Sequence, residues 1–145
     1  MATCLDLATK LIQEFESCKL VAYPDPGTHA EPWTVGWGST GHDINKTTKW
    51  TQEYADMRLQ HRIKLIYCKI IKVAPKLTNH QLAAAISFAY NCGNGALLGS
   101  TWFRKIKQGN VKEAQRTILF WNKSGGHVMR GLTRRRKAEA AMLDK

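Results

Sequence analysis

Few folds can accept residues 82–90. Leu82-Ala83-Ala84-Ala85-Ile86-Ser87-Phe88-Ala89-Tyr90 is apolar nearly all round, and a helix with no polar face has to be enclosed by the rest of its domain. Thr78 and Gln81 stand ahead of it at capping-box spacing. The threonine oxygen takes the backbone N–H three residues on, and the glutamine side chain reaches back to the cap. Asn91-Cys92-Gly93-Asn94-Gly95 closes the segment. A central, buried helix is therefore expected behind Thr78. The chain of 145 residues is long enough to wrap it as one domain with two lobes.

The flanking sequence supplies the wrapping. Leu5, Ala8, Leu11, Ile12 and Phe15 recur at helical spacing behind Thr3 and Asp6, a second capping box. That helix is expected to end near Glu16. Lys19–Tyr23 and Trp33–Trp37 read as two short strands of a small antiparallel sheet. The loop between them holds Pro24, Pro26, Gly27 and Pro32. Trp33 and Trp37 are expected in the core, the alternative being that they face a sugar. Thr51 opens a long helix that Pro75 stops, with Tyr54, Met57, Ile63, Ile66, Ile70 and Val73 at its apolar positions. Its Arg58, Arg62, Lys64, Lys69 and Lys72 read as a solvated face. Thr101 starts a short helix that Gly109 ends. Asn110 and Glu113 form a further capping box leading to Ala114, Ile118 and Trp121. Residues 122–132 read as a glycine-rich loop, and Thr133 begins the last helix. The fold class is thus α+β and mostly helical. A sheet lobe covers about 17–50, a linking helix about 51–74, and a helical lobe about 75–145 together with the first helix.

Net charge narrows the partners. At +11, with an isoelectric point near 9.8, the surface favours nucleic acid, acidic lipid or an anionic wall polymer. Charge alone does not choose among them. The run Arg134-Arg135-Arg136-Lys137 is short for a nucleic-acid patch and lacks interleaved aromatics. No apolar run approaches the roughly 18 residues of a membrane span, and the start has no basic segment followed by an apolar one. The chain is therefore expected to accumulate in the cytoplasm of the cell that makes it, with no stable membrane insertion. Cys4, Cys18, Cys68 and Cys92 contain no Cys-x-x-Cys, and the five histidines are scattered. Free, mostly buried thiols and no metal site are expected.

The chemistry is concentrated in 16–38. Glu16 follows a helical pattern, Asp25 comes after eight intervening residues in a Pro/Gly turn, and Thr34 opens the second strand. On spacing alone these read as a surface glutamate and a turn aspartate. Two carboxylates on different elements that face each other across a cleft are also the apparatus of glycoside hydrolysis. The negative end of a helix dipole works against a carboxylate anion at Glu16, which is the bias a general acid needs near neutrality.

Glu16-x8-Asp25 followed by Thr34-Val35-Gly36-Trp37-Gly38 resembles the Glu/Asp/Thr signature of phage-type lysozymes (endolysins), glycoside hydrolase family 24. Leu77 to Gly93 resembles that family's central-helix block. Gly99-Ser-Thr-Trp-Phe-Arg-Lys105 and Trp121…Ser124-Gly-Gly…Gly131-Leu-Thr-Arg-Arg-Arg136 resemble the next two, so the likeness runs through nearly the whole chain in order. The resemblance implies a lysozyme-like fold and hydrolysis of the β-1,4 bond between N-acetylmuramic acid and N-acetylglucosamine in peptidoglycan. It implies Glu16 as general acid, Asp25 as base or transition-state stabiliser, and Thr34 as the holder of the water. Asn91 would face the glycan, its alternative being a helix C-cap. Arg135 would pair with the region of the catalytic glutamate. The resemblance further implies no cofactor, a monomer, glycan strands rather than nucleic acid as partner, and release through a holin pore to act on the wall in the periplasm. Three departures stand out. The loop from Asp25 to Thr34 is a few residues longer than the common family spacing. Ser17-Cys18 replaces Gly-Leu, and Ser39-Thr40-Gly41-His42 replaces a Gly-His pair.

Overall fold

The computed structural model describes residues 2–145. Its elements in chain order are α1 (Cys4–Phe15), β1 (Lys19–Tyr23), β2 (Thr34–Gly36), α2 (Gln52–Val73), α3 (Asn79–Cys92), α4 (Asn94–Gly99), α5 (Thr101–Lys107), α6 (Val111–Ile118), β3 (Lys123–Ser124), β4 (His127–Val128) and α7 (Arg130–Met142). Backbone contacts divide the chain into two compact units, residues 16–62 and residues 2–15 with 63–145. The division falls inside α2, between Arg62 and Ile63.

In the unit 16–62, β1 and β2 pair antiparallel. Lys19 lies opposite Gly36 and Tyr23 opposite Thr34, with an irregularity of register between them. Residues 48–50 run along the other edge of β1: Ala22 N–H donates to the Thr48 carbonyl (3.0 Å) and Trp50 N–H to that of Leu20 (2.8 Å). Ala22, Val35 and Ile44 form the core, with Trp33 and Trp50 packed against it. The second strand ends sooner than Trp37. Gly36 and Gly38 adopt positive φ (65° and 84°), a conformation nearly closed to other residues. The chain folds back so that Val35 and Ser39 exchange backbone bonds of 3.0 and 2.9 Å. Trp37 therefore leaves the sheet, half-buried, and its indole N–H donates to Asp56 Oδ1 at 2.7 Å.

Thr51 caps α2, its hydroxyl accepting from Tyr54 N–H at 3.1 Å. The buried stripe is Ala55, Leu59, Ile63, Ile66 and Ile70, a run of three- and four-residue steps down one face. Tyr54 and Met57 lie off that stripe and Val73 is the last residue of the helix; all three are exposed, contrary to the sequence expectation. Arg58 is not simply solvated. It pairs with Asp43 at 2.7 Å and lies 4.7 Å above the Trp50 ring.

In the other unit α3 is enclosed as expected: every residue from Leu82 to Tyr90 is buried. Its capping box is complete, Gln81 N–H donating to the Thr78 hydroxyl and Thr78 N–H to Gln81 Oε1. The same box at Thr3 and Asp6 starts α1. Helices α1, α4 and α7 pack on α3, α5 packs on α6, and α6 on α7. The sequence expectations differ at four places. Gly93 (φ 98°) ends α3, but the chain resumes at once as α4, where only a helix stop was read. Glu113 completes half of its box: its N–H donates to Asn110 Oδ1, while its carboxylate takes two bonds from Arg116. The loop 122–132 contains a hairpin, β3 and β4, turned by Gly125 and Gly126 at φ 57° and 80°. Helix α7 begins at Arg130 rather than Thr133. All four thiols are free, but only Cys4 is buried; Cys18 and Cys92 are half-buried and Cys68 is exposed.

Candidate active site

Glu16 is the first residue after α1. Its carboxylate lies against the backbone of Gly38: a Cβ at that glycine would come within 3.0 Å of Glu16 Oε2. The Thr34-Val-Gly-Trp-Gly38 run thus brings a residue without a side chain to the one place where the glutamate needs room. Its positive φ and the missing Cβ are required together.

Asp25 stands two residues beyond the end of β1. Its Oδ2 accepts backbone N–H bonds from Gly27 (2.9 Å) and Thr28 (3.1 Å), an Asx turn. Its own backbone closes the loop, N–H to the Ala30 carbonyl and carbonyl from His29 N–H. The lengthened loop is therefore folded on this aspartate. Both side-chain bonds go to one oxygen, which orients the carboxylate and leaves Oδ1 to face other partners.

Thr34 sits directly across the ladder from Tyr23. Burial pushes the Tyr23 phenol up. The negative charge of Glu16 acts in the same direction, and the polar Thr34 side chain opposes both. The unit 16–62 therefore gathers Glu16, Tyr23, Thr34 and Gly38, with Asp25 on the loop that joins the strands. Nothing in the residue type or spacing of Tyr23 gives it a role. The strand bounds read from sequence, Lys19–Tyr23 and Trp33–Trp37, would set it opposite Trp33; the register that sets it opposite Thr34 comes from the structure.

The other two expected site residues lie in the helical unit. Asn91 is exposed on the last turn of α3 and is not the C-cap, a position taken by Gly93. Its Oδ1 accepts from Arg136 Nη2 at 2.7 Å. It lines an open cavity of about 430 Å³ with Cys92, Phe120, Trp121, Lys123, Ser124 and Leu132. Arg135 is buried, at 3% exposure. It donates to the Ser87 carbonyl and hydroxyl (3.1 and 3.3 Å), and its Nε lies 3.5 Å from Glu139 Oε2. Arg136 is fully buried beside it. Its Nε is 2.9 Å from Glu139 Oε1 but off the N–H axis, so that contact is Coulombic rather than a hydrogen bond. Ser87 donates its one hydroxyl proton to Glu139 Oε2 at 2.6 Å. Burial pushes the Glu139 carboxyl up, against the pull of Arg136, Ser87 and Arg135. Half of the basic run is thus internal, and Glu139, unremarked in the sequence, is its anion. Among the described residues no three or more His, Cys, Asp or Glu side chains are placed to hold a metal ion, and no helix is long and apolar enough to cross a membrane.

Residues 13–139 match the model of the phage lysozyme family. Over 136 residues, 92% of its length, the chain is 36% identical to an endolysin of Bacillus phage B103, covering 51% of that protein. It spans about half the length of the endolysins it matches in Bacillus phages. Among solved structures it is similar to the muramidase domain of SpmX from Asticaccaulis excentricus, with 27% identity, a TM-score of 0.83 and 95% of each chain covered. It is also similar to the endolysin of Escherichia coli O157:H7 phage FAHEc1, with 26% identity, a TM-score of 0.82, and 94% of this chain and 90% of that one covered. A family match over so much of the sequence, with the mostly helical architecture and small hairpin of those structures, means that the chain belongs to the phage lysozyme family.

Proposed function

We propose that the chain is a muramidase that hydrolyses the β-1,4 bond between N-acetylmuramic acid and N-acetylglucosamine in peptidoglycan, and so lyses bacterial cells at the end of a phage cycle. Glu16 protonates the leaving glycosidic oxygen. Asp25, through Oδ1, activates a water or stabilises the oxocarbenium-like transition state. Thr34 holds that water, since a hydroxyl accepts from water while donating elsewhere. Asn91 and its cavity contribute to glycan binding. Arg135, through its ties to Ser87 and Glu139, stiffens the α3–α7 contact behind Asn91. Two carboxylates suffice for this chemistry, with no cofactor.

The observation that carries the reading is the gathering of Glu16, Tyr23 and Thr34 in one small unit, with Gly38 making room for the carboxylate. The protein would act as a monomer on glycan strands, made in the host cytoplasm and released to the periplasmic wall through a holin pore. Co-expression with and without a holin tests that route, and lysis independent of the holin would overturn it. The test of function is Glu16→Gln, which keeps the shape and removes the acidic proton. General acid catalysis contributes about 10²–10⁴-fold, so clearing of purified wall should fall at least that far while binding to the wall persists. Near-parental clearing by the variant would remove Glu16 from the reaction.

A further inference from the structure

We propose that Asp56 is a positioning residue of this site: through Trp37 and Gln52 it holds the two chain segments that meet at the Glu16 carboxylate. The inference rests on the muramidase reading above and adds a residue to it.

Asp56 Oδ1 accepts two hydrogen bonds. The Trp37 indole N–H donates at 2.7 Å and the Gln52 Nε2 at 2.9 Å. Gln52 and Asp56 stand four residues apart at the start of α2, so they share one face of that helix. The Gln52 amide also meets the Cys18 thiol, with Nε2 at 3.6 Å and Oε1 at 3.9 Å from Sγ. Trp37 precedes Gly38, whose backbone lies against Glu16 Oε2. Cys18 follows Glu16 by two residues. One carboxylate therefore ties down both the turn that backs the glutamate and the segment that leaves it.

The need for an anchor arises in the turn. Val35 and Ser39 close its base by two backbone bonds. Its tip is Gly36-Trp37-Gly38, with both glycines at positive φ. Glycine loses more conformational freedom on folding than any other residue, so ordering such a tip is costly. Trp37 alone in the tip carries a Cβ, and its side chain is the handle by which the tip is fixed to α2. An indole N–H is a donor only, and a bond to an ionised carboxylate is roughly twice as strong as one between neutral groups. With the tip fixed, Gly38 stays where Glu16 has room and limits the rotation of its carboxylate. Without the anchor, the base of the turn remains closed while the tip tilts.

The test is a cycle on a soluble glycan: parent, Asp56→Ala, Trp37→Phe and the double variant, with Asp56→Asn and Glu16→Gln alongside. Asp56→Ala removes the acceptor and Trp37→Phe the donor. Each should lower kcat about tenfold, since a misplacement of about 1 Å can cost about 10²-fold and the closed base limits the tilt. KM should stay within about twofold, as for a group that matters in the transition state rather than in binding. The double variant should be no slower than the slower single one, because partners in one hydrogen bond are not additive. Asp56→Asn keeps an acceptor oxygen and loses the charge, so it should recover most of the lost kcat with the pH profile of kcat unmoved. A parental kcat in Asp56→Ala and Trp37→Phe, even with a lower Tm, would overturn the proposal. A loss entirely in KM, or losses that multiply in the double variant, would do so too. So would an Asp56→Asn enzyme as slow as Asp56→Ala, or one with a displaced pH profile, since charge rather than anchoring would then be at work. Failure of the muramidase reading is distinguishable, since then the parent would not cleave, or Glu16→Gln would cleave as well as the parent.

Discussion

Phe88 is one point at which the central helix meets the aromatic and cationic groups around it, and replacing it tests what that contact contributes. The residue is fully buried. Its ring makes edge contacts with Trp102 and Trp121, both at 5.2 Å between centroids, and the Arg136 guanidinium lies 4.8 Å from its centre. Phe88→Ala removes the transfer term and leaves a void, about 3–5 kcal/mol. Phe88→Leu separates the directional part. A near-isosteric apolar exchange alone costs below about 1.5 kcal/mol. Two edge contacts add about 0.5–1.5 kcal/mol each, and a desolvated cation over the ring about as much again. Phe88→Leu should therefore lose about 2–4 kcal/mol and approach the alanine variant. At about 2–4 °C per kcal/mol for a chain of this size, its Tm should fall by roughly 5–15 °C. Calorimetry gives the Tm, and a urea titration with an unchanged slope checks that both states remain comparable. A loss under about 1 kcal/mol for the leucine variant would refute the reasoning and reduce Phe88 to a filler of volume.

Other consequences follow from the same structure. The Arg58 guanidinium holds the Asp43 carboxyl below its usual value of 3.8. A depressed folded value means stability that is present above 3.8 and lost as pH falls through the folded value. The Tm gap between the parent and Asp43→Asn should therefore be constant above about pH 5 and close in more acid solution; a gap that widens there would contradict it. Gly38→Ala puts a Cβ at φ 84° and 3.0 Å from Glu16 Oε2. Stability should fall by about 1–2 kcal/mol, and kcat on a soluble glycan by about 10–100-fold, because small misplacements of a reacting group are costly. An unchanged kcat would show that Glu16 is not held there. Residues 16–62 carry five Lys/Arg against six Asp/Glu, and the remainder 17 against five, giving net charges of −1 and +12. Lys69, Lys72 and Lys112 changed to Gln should slow lysis of whole walls at low salt, where screening is weak, and leave a short glycan unaffected. Equal effects from Lys46 and Lys49 would refute a steering role for the helical unit.

Much of this fold could be read from the sequence because its signals are local. Thr78 with Gln81 and Thr3 with Asp6 are reciprocal pairs three residues apart, and both form as the chain implies. The misses occur where a side chain with a good local option was taken by a distant or competing partner. Thr133 has the chemistry of a cap, but its hydroxyl accepts from Asn122 Nδ2 at 3.1 Å, and α7 starts a turn earlier behind Met129, which has no capping bond. Glu113 prefers Arg116 to its own box. The β3–β4 hairpin has strands of two residues, too short to show alternation. Its one legible sign was Gly125-Gly126, a pair suited to a tight turn needing two positive φ angles. In the candidate site, Asp25 and Thr34 are singled out by the family resemblance rather than by spacing alone. The placing of Tyr23 opposite Thr34 depends on register, which spacing does not supply.

The buried arginines show the same principle from the opposite direction. Arg134-Arg135-Arg136-Lys137 reads as surface, because charges avoid the interior unless they are paired. The information that two of them are internal is divided between α3 and α7. Glu139 follows Arg136 by three residues and Arg135 by four, so the three share one face of a helix. Ser87 is the sole hydroxyl in the otherwise apolar run 82–88, and a buried hydroxyl needs a partner. Neither fact suffices alone, since an arginine–glutamate face is usually solvated and a buried serine usually bonds its own helix. Together they complete each other. Ser87 donates to Glu139 and accepts from Arg135, and Asn91 and Cys92 at the end of α3 accept from Arg136. The apolar helix thus has one polar seam, and that seam is where α7 attaches. The position of Asn91 beside its cavity therefore depends on a buried ion cluster as well as on the hydrophobic core, so disrupting Glu139 should disturb the cavity lining before it disturbs the capping box at the other end of α3.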